Sequence, residues 1–316
     1  MKRPIRTAVI GVGYLGKFHA QKYAALASSE LIAVVDHNLS LAQEIAAPLK
    51  TRAVQDYRDI LEQIDAVSIA VPTRLHYQIA ADLLRAGKHV LLEKPMTVTV
   101  AEADELIALA QQHHCVLQIG HLERFNPAIV GLDKLLTNPL FIESHRLAPF
   151  KLRATDVNVI LDLMIHDIDI ILDLVRSDVI EIAASGAKVL SNSVDIANAR
   201  LTFANGCVAN VTASRVSLKT ERKMRIFQDN TYISVDFQNR VLSHHYRGTE
   251  ETSEGVPKIE SAETVHESGD ALLAEIESFL HCIQHQQAPL VSGSDGRRAL
   301  ATAIRITELM KANLQL

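Results

Sequence analysis

One short stretch narrows the fold more than any other. An apolar run, Thr7–Ile10, breaks into Gly11-Val12-Gly13-Tyr14-Leu15-Gly16, and a helical pattern follows from Lys17 to Ala27. Three glycines at this spacing, after a strand and before a helix, each have a physical task. The first allows a tight turn, the second lets the backbone approach a pyrophosphate, and the third lets helix and strand pack closely. The helix N-terminus then turns its unpaired N–H groups towards the phosphates. A second apolar run, Leu31–Val35, ends at Asp36, twenty residues after Gly16. A carboxylate there accepts hydrogen bonds from both ribose hydroxyls and repels a 2′-phosphate. His37 and Asn38 follow it rather than an Arg, so the expected cofactor is NAD, not NADP.

The same alternation continues. Leu39–Leu49 reads as a helix, Ala53–Val54 as a short strand, Tyr57–Ile64 as a short helix and Ala66–Val71 as a strand. His76–Ala86 is a helix stopped by Gly87, followed by strand His89–Leu92, helix Val100–Gln112 and strand Val116–Gly120. Strand and helix in turn predict an α/β Rossmann domain over 1–121, a parallel sheet with helices on both faces.

Then the rhythm changes. Leu122–Leu136 is mostly helical in pattern, Leu140–Arg146 strand-like, and Val157–Val175 a long helix. Period-2 strands run from Val179 to Tyr246, with a turn at Asn205-Gly206, and the polar segment Arg247–Ser261 reads as a loop. Helices follow over Leu272–His285 and Asp295–Ala312. Residues 122–316 are therefore expected to form an α+β domain for substrate binding and oligomerisation, with a large, mainly antiparallel open sheet. The last helix, about 295–312, is expected to pack back on the first domain.

Composition removes several classes of function. A net charge of −5 leaves no basic surplus for a nucleic-acid backbone. Three cysteines, Cys115, Cys207 and Cys282, are widely spaced and outside any CxxC, which argues against a disulfide framework or zinc site. The start lacks a signal peptide's apolar core, and no apolar run reaches the ~18 residues of a membrane span. The expectation is a cytoplasmic protein without nucleic-acid or membrane partners.

Ligands of open parallel sheets sit beyond the carboxyl ends of the strands. Two such ends stand out, Val71-Pro72-Thr73 and Leu92-Glu93-Lys94-Pro95. Lys94 would project into the crevice beside the cationic nicotinamide, where a lowered pKa suits proton transfer, although a surface Lys in a Lys-Pro turn has the same local pattern. In Asp162-Leu163-Met164-Ile165-His166-Asp167-Ile168-Asp169, Asp162 and His166 share one helix face amid apolar neighbours. They read as an acid/base pair, or equally as a solvated Asp/His stripe. No further ligand has diagnostic spacing, and no metal is expected.

Taken together, Gly11–Gly16, Asp36, Glu93-Lys94-Pro95 and Asp162-x-x-x-His166-x-x-Asp169 resemble the Gfo/Idh/MocA family of sugar oxidoreductases, along essentially the whole chain. The resemblance implies that Lys94 contacts both substrate and nicotinamide ribose, with the peptide before Pro95 often cis. It makes His166 the acid/base and Asp162 a residue that orients the substrate or assists. Tyr14 and Leu15 of the glycine-rich turn, Pro72, Thr73 and His76 of a loop, and Glu93 and Pro95 become cofactor contacts. The second domain's sheet implies a homodimer or homotetramer. The chain departs where family members often carry glycines around the helical Asp: it has Asn158-Val159-Ile160 and Met164.

Gly120-His121-Leu122-Glu123-Arg124-Phe125-Asn126-Pro127 resembles a segment of the family's bacterial nucleotide-sugar 3-dehydrogenases. Those oxidise UDP-N-acetylglucosamine or its uronate for lipopolysaccharide precursors. The likeness makes Arg124 and Asn126 candidate substrate contacts, since Arg pairs with oxyanions bidentately; Lys151 and Arg153 fit solvated surface charges better. Inositol, a free aldose or a biliverdin-like tetrapyrrole are the competing substrates. A non-catalytic NAD-binding regulatory subunit is the competing class, and intact Lys94, Asp162 and His166 argue against it.

Overall fold

Apolar strands and amphipathic helices wind the first sheet in chain order: β1 (Ile5–Ile10), α1 (Gly16–Ala25), β2 (Ser29–Val35), α2 (Leu39–Leu49), β3 (Arg52–Val54), β4 (Ala66–Ile69), α3 (His76–Arg85), β5 (His89–Glu93), α4 (Val100–Gln112) and β6 (Leu117–Gly120). The computed structural model describes residues 3–150, 158–266 and 269–313. The strand order is β3-β2-β1-β4-β5-β6, and every pair is parallel. The order reverses between β1 and β4, which is where such sheets leave a crevice for a ligand. Val9, Val34, Val67, Leu91 and Leu92 are fully buried, as strands covered on both faces must be. Thr99 and Glu102 close a capping box at the start of α4, and Asn38 caps α2.

A second sheet holds β7 (Phe141–Leu147), and the helix α5 (Ile165–Val175) packs against it. It continues with β8 (Val179–Ala187), β9 (Ile196–Phe203), β10 (Val208–Ser214), β11 (Glu221–Gln228), β12 (Thr231–Asp236), β13 (Val241–Glu251) and β14 (Pro257–Val265). Its order is β14-β13-β12-β11-β7-β10-β9-β8, antiparallel except for the parallel pair β7–β10. Alternate residues are buried on one face, among them Ala199, Leu201, Val211, Met224 and Ile226. The opposite face carries a file of rings, Phe141, Phe227, Tyr232 and His245, with successive centroids 5.8, 5.0 and 5.0 Å apart. Two helices end the chain, α6 (Ala271–His285) and α7 (Gly293–Asn313).

The chain divides into two units. One comprises the residues up to Leu122 with Asp270–Leu300, the other Glu123–Gly269 with the residues from Ala301 onwards. The sequence reading returned only the last helix to the first domain. In the structure α6 and the opening turns of α7 belong to it, and the later turns of α7 do not. Leu272, Ile276, Phe279 and Leu280 of α6 enter one core with Val9, Ala20, Tyr23 and Leu91. An apolar stripe of that kind suits any core, so its spacing does not say which one it joins.

Two further expectations are corrected. The segment Arg247–Ser261 is not a loop: most of it lies in β13 and β14, which pair as a hairpin at the sheet edge. Both faces of β14 are exposed, so the alternation that marks a half-buried strand is missing. The stretch Leu122–Leu136 holds only short 3₁₀ turns, Leu122–Phe125 and Leu132–Lys134, around Pro127. Among the described residues, no helix is long and apolar enough to cross a membrane.

Candidate active site

The glycine-rich turn behaves as its spacing predicts. Gly11 has φ of +84°, and a Cβ there would lie 2.8 Å from the Ala70 carbonyl carbon. At Gly16 a Cβ would lie 1.8 Å from the Gly11 oxygen, so helix and turn approach closely only without one. Gly13 faces open space, with nothing within 4 Å of an added Cβ, as a backbone that receives a phosphate must. Tyr14 is exposed and meets Phe18 edge-on, and Leu15 precedes the first turn of α1.

Asp36 follows β2 directly and is almost buried, and two hydrogen bonds fix its direction. Its Oδ2 accepts from the Val12 N–H at 3.0 Å and its Oδ1 from the Asn38 N–H at 3.0 Å. Gly11, Gly13, Asp36, Pro72, Leu75 and Ile79 line one cleft of about 940 Å³. A carboxylate, a bare glycine backbone and apolar walls fit a dinucleotide with free ribose hydroxyls. Another cavity, about 830 Å³, adjoins His89, Cys115 and Leu117 at the amino ends of β5 and β6, away from this turn. Asp36→Ala is expected to weaken NAD binding about tenfold, since two ribose hydrogen bonds go. Titration of the cofactor checks this, and unchanged affinity would remove Asp36 from the site.

His76, expected to touch the cofactor, is buried at the start of α3. Its Nδ1 lies 2.9 Å from the Pro95 oxygen and its Nε2 2.8 Å from the Val71 oxygen. Burial holds its pKa below the usual value, against the pull of both carbonyls. The neutral ring donates to one of them at a time and ties the two strand ends together. Thr73, half-buried, opens the short 3₁₀ turn Thr73–Leu75 that leads into α3. Glu93 closes β5 in the interior, and its Oε2 accepts from the Lys94 N–H at 3.3 Å. Lys94 is half-buried beyond the carboxyl end of β5, and the Lys94–Pro95 peptide is cis.

In the other unit, Asp162 and His166 are half-buried on the helix expected over Val157–Val175. Val157 itself lies outside the described residues, as do Lys151 and Arg153. The helix is not uniform: Ile160–Met164 is a π turn, closed by the Ile165 N–H donating to the Ile160 carbonyl, and α5 follows. The Asn158 side chain accepts from the Leu161 N–H at 3.0 Å and starts it. Such turns recur at functional sites.

Beneath α5 lies a charged cluster. Arg146 of β7 donates from Nε and Nη2 to Asp167 at 2.8 and 3.0 Å, and from Nη1 to Glu123 at 2.8 Å. Burial opposes the charge on Glu123, but Arg146, Arg222 and Asn126 outweigh it and hold the carboxyl below its usual range. Arg124 and Asn126, expected to meet the substrate, are both buried. Arg124 pairs with Asp173 at 2.8 Å and lies 3.6 Å from Asp169. Asn126 donates to Glu123 and to the Phe237 carbonyl, both at 3.1 Å, and accepts from the Ala128 N–H. Buried polar groups must find partners, and here the partners come from the protein.

Residues 5–121 match the family described as "Oxidoreductase family, NAD-binding Rossmann fold", and residues 143–234 match the GFO/IDH/MocA C-terminal domain. The chain is 44% identical to the UDP-N-acetylglucosamine 3-dehydrogenase of Acidithiobacillus ferrooxidans, over 98% of this chain and 99% of that one. The chain belongs to the Gfo/Idh/MocA family. A solved structure of that A. ferrooxidans enzyme superposes with a TM-score of 0.94 at 43% identity, covering 100% of both chains. The scyllo-inositol 2-dehydrogenase (NAD(+)) of Bacillus subtilis is more distant, 25% identical over 97% of this chain and 94% of that one. Levoglucosan dehydrogenase in complex with NADH shares the fold at 20% identity, with a TM-score of 0.85 and 97% of each chain covered.

The family membership makes NAD the cofactor and an oxidoreductase of the chain. Sequence reasoning missed a buried polar group of this family member's first unit: His19, Tyr23, Ser68 and Glu275 around Glu93. The one signal was a His three residues after Gly16, with Tyr23 one turn further along the same helix face.

Proposed function

We propose that this chain oxidises the 3-hydroxyl of a UDP-N-acetylglucosamine-type sugar with NAD, leaving a 3-keto sugar. The observation that carries this reading is the 44% identity to a UDP-N-acetylglucosamine 3-dehydrogenase, sustained over 98% of the chain. Bound NAD supplies the hydride acceptor. In this reading Gly11, Gly13 and the amino end of α1 hold its pyrophosphate, and Asp36 its ribose. Lys94 hydrogen-bonds the reacting hydroxyl, and His166 takes the hydroxyl proton as the carbon–hydrogen bond gives up its hydride and C=O forms. Asp162 orients His166 and stabilises the imidazolium that results. Arg124 and Asn126 act as supports of the pocket wall through Asp169, Asp173 and Glu123.

The reading carries with it a cytoplasmic step towards lipopolysaccharide precursors. It also carries assembly into a homodimer or homotetramer through the face of the second sheet that bears Phe141, Phe227 and Tyr232. The test is NADH formation from UDP-N-acetylglucosamine, its uronate, inositols and free aldoses in parallel, with a 2-oxo acid present to re-oxidise retained cofactor in a second series. NADH, or reduced oxo acid, with a UDP-sugar is the expected result. Turnover with inositols or aldoses alone would keep the family and discard this substrate. NAD binding without any turnover would favour a regulatory subunit.

A further inference from the structure

Three elements of the first unit bring a histidine and two carboxyl groups together in the interior. His19 comes from α1, Glu93 from the end of β5 and Glu275 from α6, with one nitrogen or oxygen of each within 4.8 Å of the others. His19 and Glu275 are fully buried, and Glu93 is 7% exposed. One assignment of protons satisfies most of the group. Tyr23 donates to Ser68 Oγ at 2.8 Å, and Ser68 donates to His19 Nδ1 at 3.1 Å. His19 Nε2–H then donates to Glu93 Oε1 at 3.0 Å, and the Lys94 N–H donates to Oε2 at 3.3 Å. Every arrow ends on Glu93, with a neutral imidazole and one carboxylate.

Glu275 stands apart. Read as a carboxylate, neither of its oxygens has a hydrogen-bond partner, although both are buried. The groups that face it are Glu93 from β5 and His19 and Tyr23 from α1, with Gln118 of β6 bonded to its backbone carbonyl at 3.0 Å. None of these side chains supplies a fixed positive charge. Two ionised carboxylates in one buried site repel strongly, and one takes up a proton. A divalent cation would relieve the repulsion too; it would take the other His19 tautomer, in which Nδ1–H donates to Ser68 and Nε2 is left to face the ion.

We propose that Glu275 is a positioning residue that carries a proton and donates it in a hydrogen bond to Glu93, so that Glu93 remains the single anion that anchors the Lys94 backbone. Burial first, and the charge of Glu93 second, push the Glu275 carboxyl well above the usual carboxylate range, in keeping with this arrangement. The functional consequence rests on the reading of Lys94 as a catalytic residue. The proton itself does not, and its test is independent of any substrate.

The direct measurement is the infrared difference spectrum of wild type against Glu275→Gln near neutral pH. Wild type is expected to show the C=O band of a buried, protonated carboxyl that the variant lacks. Absence of that band would overturn the proposal, as would a stoichiometric divalent cation in the purified protein that the variant loses. Kinetics add the positioning role. Glu275→Leu keeps the volume but removes the donor, and kcat is expected to fall roughly tenfold with NAD affinity unchanged. Glu275→Gln retains a donor and is expected to stay within about twofold of wild type, with the alkaline limb of the pH profile moved upwards. Equal losses in both variants with an unmoved pH profile would mean simple packing and would overturn the role.

Discussion

Replacing Lys94 by alanine is expected to lower kcat about 10²- to 10⁴-fold while NAD affinity stays within about threefold. The split follows from where the residue sits. Lys94 lies beyond β5, and the features of the cleft proposed to hold the cofactor are supplied by other residues: Gly11 and Gly13 after β1, Asp36 after β2 and Pro72 after β4. The strand end keeps its place in the variant because its ties are backbone ties. The Lys94 N–H still meets Glu93, and the Pro95 carbonyl still meets His76. What is lost is the Lys94 ammonium, and with it the hydrogen bond proposed to hold the reacting hydroxyl. Titration with NAD and steady-state kinetics on one preparation separate the two effects. A variant that bound NAD and turned over at the wild-type rate would take the chemistry away from Lys94.

The second large effect falls on stability. Arg146→Met is expected to destabilise the second unit by about 3–5 kcal/mol, because it leaves Asp167 buried without its Arg partner and leaves Glu123 to the half-exposed Arg222, 3.5 Å away. Asp167 and Glu123 both face Arg146 from the interior, and the guanidinium is almost fully enclosed between them. The pH dependence has a definite sign. The folded state holds the Glu123 carboxyl below its usual range. Its contribution is therefore complete above the unfolded value, about 4.3, and is lost as the pH falls through the lower folded value. Urea unfolding of wild type and variant at descending pH reads this directly: the gap between them is expected to close on the acid side. A gap below about 1 kcal/mol near neutral pH would mean that the cluster adds little to the fold. His166 rides on the helix this cluster supports, so the variant also tests how firmly α5 must be held.

Much of the fold and part of the site were legible because their signals are local. The glycine-rich turn, Asp36 and the strand–helix alternation declare themselves within a few residues, and the strand order β3-β2-β1-β4-β5-β6 is the one such a motif implies. Glu93-Lys94-Pro95 sits at a strand end, as read. The rest depends on pairings that no local pattern records. His19 meets Glu93 across 74 residues, and Arg146 meets Asp167 across 21. Arg124 meets Asp169 and Asp173, which lie on a helix that the sequence does not place beside it. The π turn at Ile160–Met164 leaves no mark in an apolar pattern that suits a regular helix equally well. The hairpin of β13 and β14 escaped notice for the opposite reason, since a strand exposed on both faces has the composition of a loop.

In the proposed reaction, hydride leaves carbon 3 of a UDP-N-acetylglucosamine-type sugar for NAD. The most direct measurement uses that sugar deuterated at carbon 3 alone, with mass analysis of the cofactor after reaction. One deuterium is expected in the reduced nicotinamide, with a slowed turnover when hydride transfer limits the rate. Reduced cofactor without the label would place the oxidation at another carbon, and no reduction by any nucleotide sugar while NAD binds would rule out a nucleotide-sugar dehydrogenase.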